Sequence, residues 1–396
     1  MSDGQTAGFL HGRLGESSVS AGRVIGATAA LVVVLLTVAP RCPAAQYTIE
    51  PLGSLGGNYS RAESISNSGL VAGYAYTPAS VEHAFLWQSG SMVDLGTLGG
   101  SASRAYDVNV SGQVGGWAAT ELGQARPVLW DRGAIYELPT LGGPAGSVRG
   151  INDWGHAVGN AYLTSSVYHA ALWRGGAVVD LGTLGGAYSM AYDINRSGDV
   201  AGYAYDAAGA QWACLWADGT TYNLGRLAGA TASAAKAVND RRQVIVWNYG
   251  LGHSALWQNA QLIDLGTLGG PESWAYGLNN RGQAVGWAEL QSGIYHAFFW
   301  TDADANGLSD PGEMLDLGTL GGLFSSAYAI NDAGIIVGYA QNSSGQWQAV
   351  RWVPVPEPNS LVLLLSALPA LAQLRRKPAS SHIARSDMFK PRRCRP

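Results

Sequence analysis

Charged residues are scarce in this chain. Only 13% of its 396 residues are Asp, Glu, Lys or Arg, and the formal net charge is −4. Lys and Arg concentrate in residues 375–396, so the body of the chain is acidic. Nucleic-acid binding needs clustered Lys and Arg, because these side chains neutralise phosphates. The sequence therefore predicts no nucleic-acid partner.

Cysteine is too rare to build a disulfide framework. The three cysteines are Cys42, Cys214 and Cys394, and the outer two lie in terminal segments that we expect to be removed. Cys214 has no Cys or His neighbour at the spacing of a metal site. We therefore expect one buried thiol and no internal disulfide.

The sequence also lacks the patterns of helices and of common catalytic sites. The body has no helical period, no nucleotide-binding loop, no sialidase-type Ser-x-Asp box and no evident Ser-His-Asp set. What it has in abundance is glycine, with 54 residues, and tryptophan, with 14. Many glycines among aromatic and β-branched residues indicate short strands joined by tight turns.

One heptapeptide, DLGTLGG, occurs four times, in residues 94–100, 180–186, 264–270 and 316–322. Weaker copies, PLGSLGG, ELPTLGG and NLGRLAG, begin at positions 51, 137 and 223. Their first leucines are separated by four intervals of 43 residues and then by 41 and 52. Such a period indicates a repeat architecture rather than seven nucleotide sites. The leucines are Leu52, Leu95, Leu138, Leu181, Leu224, Leu265 and Leu317, and a tryptophan recurs in step at Trp87, Trp130, Trp173, Trp216, Trp257, Trp300 and Trp352.

Each unit contains four predicted strands, A to D. In the second unit, strand A surrounds residues 105–109, strand B spans 113–118, strand C ends at Trp130 and strand D precedes Leu138. Asn-x-x-Gly turns join A to B, and Trp-x-x-Gly turns join C to D, because glycine adopts positive φ at little cost. Four antiparallel strands in a unit of this length match a propeller blade.

The sequence therefore predicts an all-β fold over residues 46–353, a seven-bladed β-propeller of four-stranded antiparallel blades. The chain would enter through a D-type strand, residues 47–52, and leave after a C-type strand, residues 348–352. Pairing these N- and C-terminal strands would close the ring and leave no open edge. A linear solenoid is the alternative, and it would leave both end strands unpaired.

The first 45 residues have the pattern of a secretory signal peptide. Residues 24–39 form an uncharged apolar run after Arg13 and Arg23, and small residues follow before Gln46. We expect residues 1–45 to be removed and the mature chain to be exported to the cell envelope or the extracellular space of a bacterium. An uncleaved membrane anchor is the alternative interpretation.

A second targeting signal is predicted near the C-terminus, in residues 354–377. ProGluPro at 356–358 precedes an apolar stretch, 361–374, and a basic cluster, 375–377. The segment resembles the PEP-CTERM sorting signal of bacterial envelope proteins. That resemblance implies an exosortase-type sorting enzyme as partner, with transient membrane association through the apolar stretch. The family's signal usually ends at the basic cluster, whereas here a basic tail follows, residues 378–396, which we expect to be disordered.

A His-Ala-Phe triplet at residues 83–85 and 296–298 extends the repeat, with variants at 169–171 and 253–255. Together with DLGTLGG and the Ile-Asn-x-x-Gly turn, it resembles the HAF repeat family of extracellular bacterial proteins over residues 47–352. The resemblance implies export and a repeat-built fold, but no known activity and no catalytic residues. In three units the histidine is replaced, by Arg126, Trp212 and Gln348.

The longest repeat interval contains one insertion, DADANGLSDPGE, in residues 302–313. Its oxygen-bearing side chains follow the spacing of an EF-hand calcium loop, with glycine at the sixth position and a backbone carbonyl available at the seventh. No helices flank the loop, so a solvated acidic insertion is the alternative. The predicted Ca²⁺ ligands are Asp302, Asp304, Asn306, Leu308 through its carbonyl, Asp310 and Glu313.

Two rings of side chains recur in strands A and B. Packing between blades is the simpler explanation of both rings, and a stacking surface for sugar rings or an apolar partner is the functional one. Three charged residues break the symmetry of the strand A series, as a binding mouth would. This inner ring consists of Glu63, Tyr106, Arg149, Tyr192, Lys236, Tyr276 and Tyr328. The strand B ring consists of Tyr74, Trp117, Asn160, Tyr203, Trp247, Trp287 and Tyr339.

Acidic residues end strand D in six units, and we expect each to cap a neighbouring turn. Nothing in the sequence singles out the two carboxylates in one cleft that a glycosidase needs. The six are Glu50, Asp94, Glu137, Asp180, Asp264 and Asp316, and Asn223 takes the seventh place.

These features favour an exported, non-catalytic propeller that acts as a binding or structural component of the cell envelope or extracellular matrix. A polysaccharide or an envelope protein would be its partner. The alternative is a polysaccharide-active enzyme, a hydrolase or lyase, on the same scaffold. A cluster of non-repeated carboxylates at one mouth of the channel would favour the enzyme.

Overall fold

The computed structural model describes residues 47–304 and 306–355. In this part of the chain 28 strands form seven four-stranded antiparallel sheets. These sheets are the blades of a seven-bladed β-propeller, which confirms the predicted fold class. The described residues contain no helix that is long and apolar enough to cross a membrane. The predicted signal peptide, most of the sorting signal and the basic tail lie outside the described residues.

The blades follow one another along the chain. Blade 1 consists of β2–β5, each later blade takes the next four strands, and blade 7 combines β26–β28 with β1. The strands of blades 1 to 3 are β2 Ser60–Ile65, β3 Val71–Tyr76, β4 Glu82–Gln88, β5 Ser91–Asp94, β6 Gly99–Val108, β7 Val114–Thr120, β8 Ala125–Asp131, β9 Ala134–Glu137, β10 Gly146–Ile151, β11 Ala157–Tyr162, β12 Tyr168–Arg174 and β13 Ala177–Asp180. Those of blades 4 to 7 are β14 Gly185–Ile194, β15 Val200–Asp206, β16 Gln211–Ala217, β17 Thr220–Gly225, β18 Ala232–Val238, β19 Val244–Tyr249, β20 His253–Gln258, β21 Gln261–Asp264, β22 Gly269–Leu278, β23 Ala284–Leu290, β24 Tyr295–Trp300, β25 Met314–Asp316, β26 Gly321–Ile330, β27 Ile336–Asn342, β28 Trp347–Pro354 and β1 Tyr47–Gly53.

The predicted turns join these strands. In blade 2 the amide of Gly112 donates to the carbonyl of Asn109 at 3.1 Å, and Gly112 has a φ of 83°. At the turn from strand C to strand D, Arg132 and Gly133 have φ values of 51° and 81°. Two successive positive φ values match the twist of a tight hairpin. In blade 5, Arg242 and Ala260 replace the two turn glycines and adopt positive φ values of 59° and 61°, so the turn type recurs even without glycine.

The DLGTLGG motif connects the outer strand of one blade to the inner strand of the next. β13 ends at Asp180 and β14 begins at Gly185, so the last two glycines already belong to strand A, which starts earlier than the sequence pattern predicts. Gly185 has a φ of 100°, which disfavours any side chain there. A Cβ on Gly186 would lie 2.6 Å from the carbonyl oxygen of Asp206. Gly185 therefore allows the chain to bend, and Gly186 allows the backbones of strands A and B to approach closely.

The motif exists in two structural forms. The four exact copies lead into inner strands of 10 residues, in blades 2, 4, 6 and 7. Their second leucine also bridges to strand B of the same blade, as Leu98 does to Thr120. The weaker copies lead into inner strands of 6 or 7 residues, in blades 1, 3 and 5. We call these two forms the exact junctions and the variant junctions.

Apolar clusters fill the space between neighbouring blades. One of them joins Leu70 and Ala84 of blade 1 to Trp130 of blade 2, and the junction leucines Leu95 and Leu98 pack against it. The Trp130 side chain is 3% exposed. Burial of such side chains is the main favourable term that holds one blade against the next.

Strand β1 closes the ring by pairing antiparallel with β28, from Tyr47 opposite Pro354 to Gly53 opposite Ala349. Arg351 adds an ion pair with Glu50 at 2.6 Å between Nη2 and Oε2. The predicted pairing of the chain ends is confirmed. Pro354, the first residue of the predicted sorting segment, is also the last residue of β28.

Deleting residues 46–53 should lower the melting temperature of the whole propeller in a single transition, because it removes the outer strand of blade 7 and exposes the edge of β28. Circular dichroism during heating measures the change. Thr48→Ala is the control, since it removes only one exposed 3.4 Å hydrogen bond to Val353. An unchanged transition after the deletion would argue against a closed ring.

Candidate functional site

The seven inner strands surround a cavity of about 280 Å³ on the propeller axis. Its walls are the last residues of the A strands and the turns from A to B. Asn67, Val110 and Arg196 belong to these turns and are exposed. The cavity therefore opens on the face of the propeller that carries the A–B turns, and we call these turn residues its rim.

All seven residues of the inner ring line this cavity, so the structure brings together the complete set that the sequence singled out. They lie four positions before the rim, about 13 Å at ~3.3 Å per strand residue. The rings of Tyr276 and Tyr328 meet at a centroid distance of 4.5 Å. The Arg149 guanidinium lies 4.0 Å from the centroid of the Tyr106 ring. The inner ring thus forms the floor of the cavity.

The strand B ring packs behind this floor. Tyr192 contacts Tyr203 at a centroid distance of 5.9 Å, and the indole N–H of Trp117 donates to the Tyr106 hydroxyl at 3.2 Å. None of the seven strand B residues lines the cavity. The packing interpretation therefore describes the strand B ring, whereas the inner ring both packs and faces the cavity.

One of the three charged floor residues is neutralised within its own strand. Glu63 pairs with Arg61 at 2.7 Å between Oε1 and Nε. The Arg61 guanidinium also lies 4.0 Å from the centroid of the Tyr328 ring, so a cation–π contact holds it in place. Glu63 therefore contributes no free negative charge to the floor.

The other two charged floor residues are cations without an acidic partner. The Lys236 ammonium lies 3.4 Å from the centroid of the Tyr192 ring and 4.5 Å from that of Trp247. Burial, and then the charge of Arg149, lower the pKa of Lys236 to about 7. Neither cation takes part in an ion pair among the described residues.

Two carboxylates line the cavity one position beyond the floor. Asp107 accepts the amide of Ile151 at 2.7 Å, and Asp193 accepts the amide of Val238 at 2.8 Å, so each bridges to the inner strand of the next blade. Burial raises the pKa of Asp107, and burial followed by the charge of Asp107 raises that of Asp193 to about 7. The sequence analysis missed this pair, although an acid at this position in only two of seven units was a usable signal.

A chain of buried asparagines encircles the cavity between these carboxylates and the rim. Each side-chain amide donates to the backbone carbonyl of the equivalent residue in the next blade, at 3.0–3.2 Å. The chain lacks one link, from blade 1 to blade 2, because serine takes the asparagine position there. The sequence identified these residues only as turn formers. In order the members are Asn109, Asn152, Asn195, Asn239, Asn279, Asn331 and Ser66.

The histidine of the HAF triplet and the aspartate of DLGTLGG form one contact across strands C and D. His169 Nδ1 lies 2.8 Å from an oxygen of Asp180, whose other oxygen accepts the amide of Gly182 at 2.8 Å. The expected cap is present at the four aspartates of the exact copies, whereas Glu50 and Glu137 accept no turn amide among the described residues and pair with Arg351 and Arg126. The sequence analysis missed the histidine partner of each aspartate. Where arginine replaces histidine, at Arg126, the acid is the longer Glu137, at 2.6 Å. Covariation within the repeats could have revealed the pair, which is structural and lies away from the cavity.

The predicted calcium loop connects β24 to β25. Carboxylate oxygens of Asp302, Asp304 and Glu313 lie within 4.8 Å of one another. Glu313 is 7% exposed, and its two oxygens accept the amides of Ala303 and Asp310 at 2.8 and 2.9 Å. The structure therefore gathers the first, third and twelfth positions of the predicted ligand set.

The remaining loop positions bond within the loop. The Asn306 amide donates to Asp304 at 3.0 Å and to Asp310 at 2.6 Å, and its carbonyl oxygen accepts the amide of Leu308 at 2.6 Å. The Leu308 side chain is exposed, and Ala305 lies outside the described residues. To bind a metal ion, Asn306 and Asp310 would have to break these hydrogen bonds.

No family model and no curated protein matches the chain. Among solved structures, the chain is similar to virginiamycin B lyase from Staphylococcus aureus, with a TM-score of 0.47 at 11% identity over 78% of this chain and 100% of that one. It is also similar to a gluconolactonase from Xanthomonas campestris, with a TM-score of 0.39 at 9% identity over 78% and 90% of the two chains. A lectin from Aleuria aurantia has a TM-score of 0.35 at 11% identity over 67% and 99%. Likeness at this level concerns the fold alone and carries no inference about activity or ligand.

Completing the asparagine chain should stabilise the propeller. Ser66→Asn would supply the missing link and should raise the free energy of unfolding by about 1 kcal/mol, the net value of one added hydrogen bond. Asn279→Ser recreates the open link in blade 6 and should lower it by a similar amount. Urea denaturation measures both, with Ser344→Asn at an exposed B–C turn as control. Equal effects of Ser66→Asn and Ser344→Asn would show that the link contributes nothing.

Proposed function

We propose that this protein is an exported, non-catalytic propeller that binds a ligand in its central cavity as a component of the cell envelope or extracellular matrix. One observation carries the proposal: the floor of the cavity departs from the repeat. Tyrosine occupies the floor in the four blades that follow exact junctions, and charged residues occupy it in the three that follow variant junctions. A ring that only packed would have no reason to place Glu63, Arg149 and Lys236 at one level of one cavity.

The rim adds a group that suits a sugar ring. Trp154, in the A–B turn of blade 3, is 66% exposed, and its indole N–H donates to the carbonyl of Arg196 in the next blade at 3.2 Å. This hydrogen bond and the Arg196 guanidinium, which lies 5.8 Å from the centroid of the indole ring, hold the side chain next to Asp153, which lines the cavity, and they leave part of the ring accessible. An immobilised, exposed aromatic face beside polar groups is suited to stacking on a sugar. A polysaccharide is therefore the partner that we favour over an envelope protein.

Export and anchoring form part of the same proposal. They rest on the signal-peptide pattern of residues 1–45 and on the PEP-CTERM-like segment of residues 354–377, which would be handled by an exosortase-type enzyme. The acidic body of the chain argues against nucleic acid as the ligand.

The second candidate function is a polysaccharide-active enzyme, and Asp107 and Asp193 are the observation that favours it. They are non-repeated carboxylates in one cavity, and the pKa of Asp193 is raised to about 7, which suits a general acid. However, the oxygens of Asp193 accept the amides of Ile194 and Val238 at 2.7 and 2.8 Å. A clamp between blades accounts for both residues without catalysis, so we favour binding.

We also propose that the loop of residues 302–313 binds Ca²⁺. Two observations support this: the EF-hand spacing in the sequence, and the convergence of Asp302, Asp304 and Glu313 at one point. Carboxylates this close repel one another unless a cation neutralises them. Calcium would then fasten the long connection between β24 and β25.

A glycan array and a turnover assay on the mature chain, recovered from the envelope fraction of a bacterial host, test the proposed function. We expect retention of a glycan without release of product, and at least tenfold weaker retention after Trp154→Ala. Tyr136→Ala is the matched control, because Tyr136 is 55% exposed on an outer strand away from the cavity. Product release that Asp193→Asn abolishes would instead establish the enzyme.

The calcium proposal predicts a rise in melting temperature on addition of Ca²⁺ at concentrations on the order of 10⁻⁴–10⁻³ M, since a ligand of the folded state shifts unfolding. Glu313→Gln should remove most of this shift by removing the bidentate anion. Ser309→Ala should retain it, because that hydroxyl donates only to the Leu265 carbonyl, at 3.1 Å. Isothermal titration without heat at several millimolar Ca²⁺ would leave the loop as an acidic insertion only.

A further inference from the structure

The cavity floor contains two basic side chains that form no ion pair with any described residue. Arg149 and Lys236 lie in blades 3 and 5, on either side of Tyr192, and both line the cavity. The Arg149 Nε donates to the Ser147 hydroxyl at 3.1 Å, while its terminal nitrogens have no hydrogen-bond partner among the described residues. The Lys236 ammonium contacts the rings of Tyr192 and Trp247 and forms no ion pair among the described residues.

Each nearby carboxylate is already occupied. Glu63 pairs with Arg61 at 2.7 Å. Asp193 accepts two backbone amides, and Asp107 accepts the amide of Ile151 at 2.7 Å and the Ser64 hydroxyl. None of them lies within ion-pair distance of the two free cations. Two like charges in a partly desolvated site are unfavourable unless an anion joins them.

We propose that the floor is a binding site for a carboxylate group of the ligand, held between the Arg149 guanidinium and the Lys236 ammonium. This inference rests on the proposed function and names its ligand class, a small or chain-terminal acid such as an acidic sugar. The guanidinium offers a planar pair of N–H donors that matches a carboxylate, and the ammonium supplies a second charge.

The size of the cavity and the charge of its rim further restrict the class of ligand that can bind. A volume of about 280 Å³ lies just below the usual range of ligand pockets, roughly 300–1,000 Å³, so only a small group fits. The opening is lined by Asp153, Asp240 and Asp332 and by one cation, Arg196, so its net charge is negative. This net negative charge disfavours the entry of a polyanion, because like charges repel. A single carboxylate on an otherwise neutral body fits both constraints, with Trp154 placed to stack on a sugar that emerges from the rim.

The site also couples binding to protons. Lys236 is surrounded by the charges of Arg149, Arg61, Glu63 and Asp193, and its pKa of about 7 means that it is only partly protonated at neutral pH. An anion favours the protonated amine, so binding should take up a proton near pH 7.5. As pH rises through 7, Lys236 loses its charge and Asp193 gains one, and both changes weaken the attraction for an anion.

Isothermal titration of the mature chain with glucuronate, glucose, acetate and inorganic phosphate tests this inference. We expect glucuronate to bind, glucose to bind at least tenfold more weakly, and glucuronate affinity to fall at least fivefold from pH 6 to pH 8.5. Lys236→Met and Arg149→Met should each weaken glucuronate at least tenfold. Arg174→Met, at the exposed end of β12 away from the cavity, is the matched control and should change nothing. Melting curves of the variants establish that they fold.

The probes separate the outcomes. Binding of glucuronate but not acetate supports an acidic sugar, and equal binding of both supports a small organic acid at the same site. Binding of phosphate alone, or carboxylate binding that survives both substitutions, overturns the inference. If the chain retains a neutral glycan through Trp154 while no carboxylate binds, the inference fails and the proposed function stands. If neither a glycan nor any probe binds, both fail.

Discussion

The inner strands of this propeller are joined to one another by side chains, because no backbone ladder runs between the seven sheets. The asparagine chain makes that connection in six of the seven steps around the axis, and Asp107 and Asp193 reinforce it at two of them. All of these groups lie on the wall of the cavity. The constraint that holds the blades at a fixed distance therefore also fixes the diameter and the depth of the candidate site, and a ligand meets a preformed surface.

The repeat explains why so much of the fold could be predicted. All seven copies of the unit share the same strand order and junction position, so the blades could be predicted from the spacing. The closure by β1 and β28 was predicted from the strand types at the two chain ends, with a linear solenoid as the alternative. The start of strand A could not be read this way. Gly185 and Gly186 have the composition of a loop, and only their contact with Asp206 across the blade makes them strand residues.

The site was harder to predict, for a related reason. The inner ring was visible because its members share one position in every unit. Its chemistry depends on contacts that span blades: Glu63 is neutralised by Arg61 at 2.7 Å, whereas Arg149 and Lys236 have no such partner. Asp107 and Asp193 depart from the repeat at their position, but the contacts that they make between blades are known only from their amide partners in the folded chain. A single sequence shows which positions recur, but not which charges remain uncompensated after folding.

The type of junction and the type of floor residue vary together among the seven blades. This correlation connects the scaffold to the proposed function. Histidine and aspartate pair across strands C and D before each exact junction, as His169 and Asp180 do at 2.8 Å. The inner strand that follows is 10 residues long, and its residue on the cavity floor is a tyrosine. At the variant junctions the pair is altered, as in Arg126 with Glu137, the inner strand is shorter, and the floor residue is charged. The asparagine chain nevertheless runs through both kinds of blade, with Asn152 in blade 3 and Asn239 in blade 5. Two of the three variant blades therefore keep the contacts that hold the ring, and together the three supply all the charge on the floor.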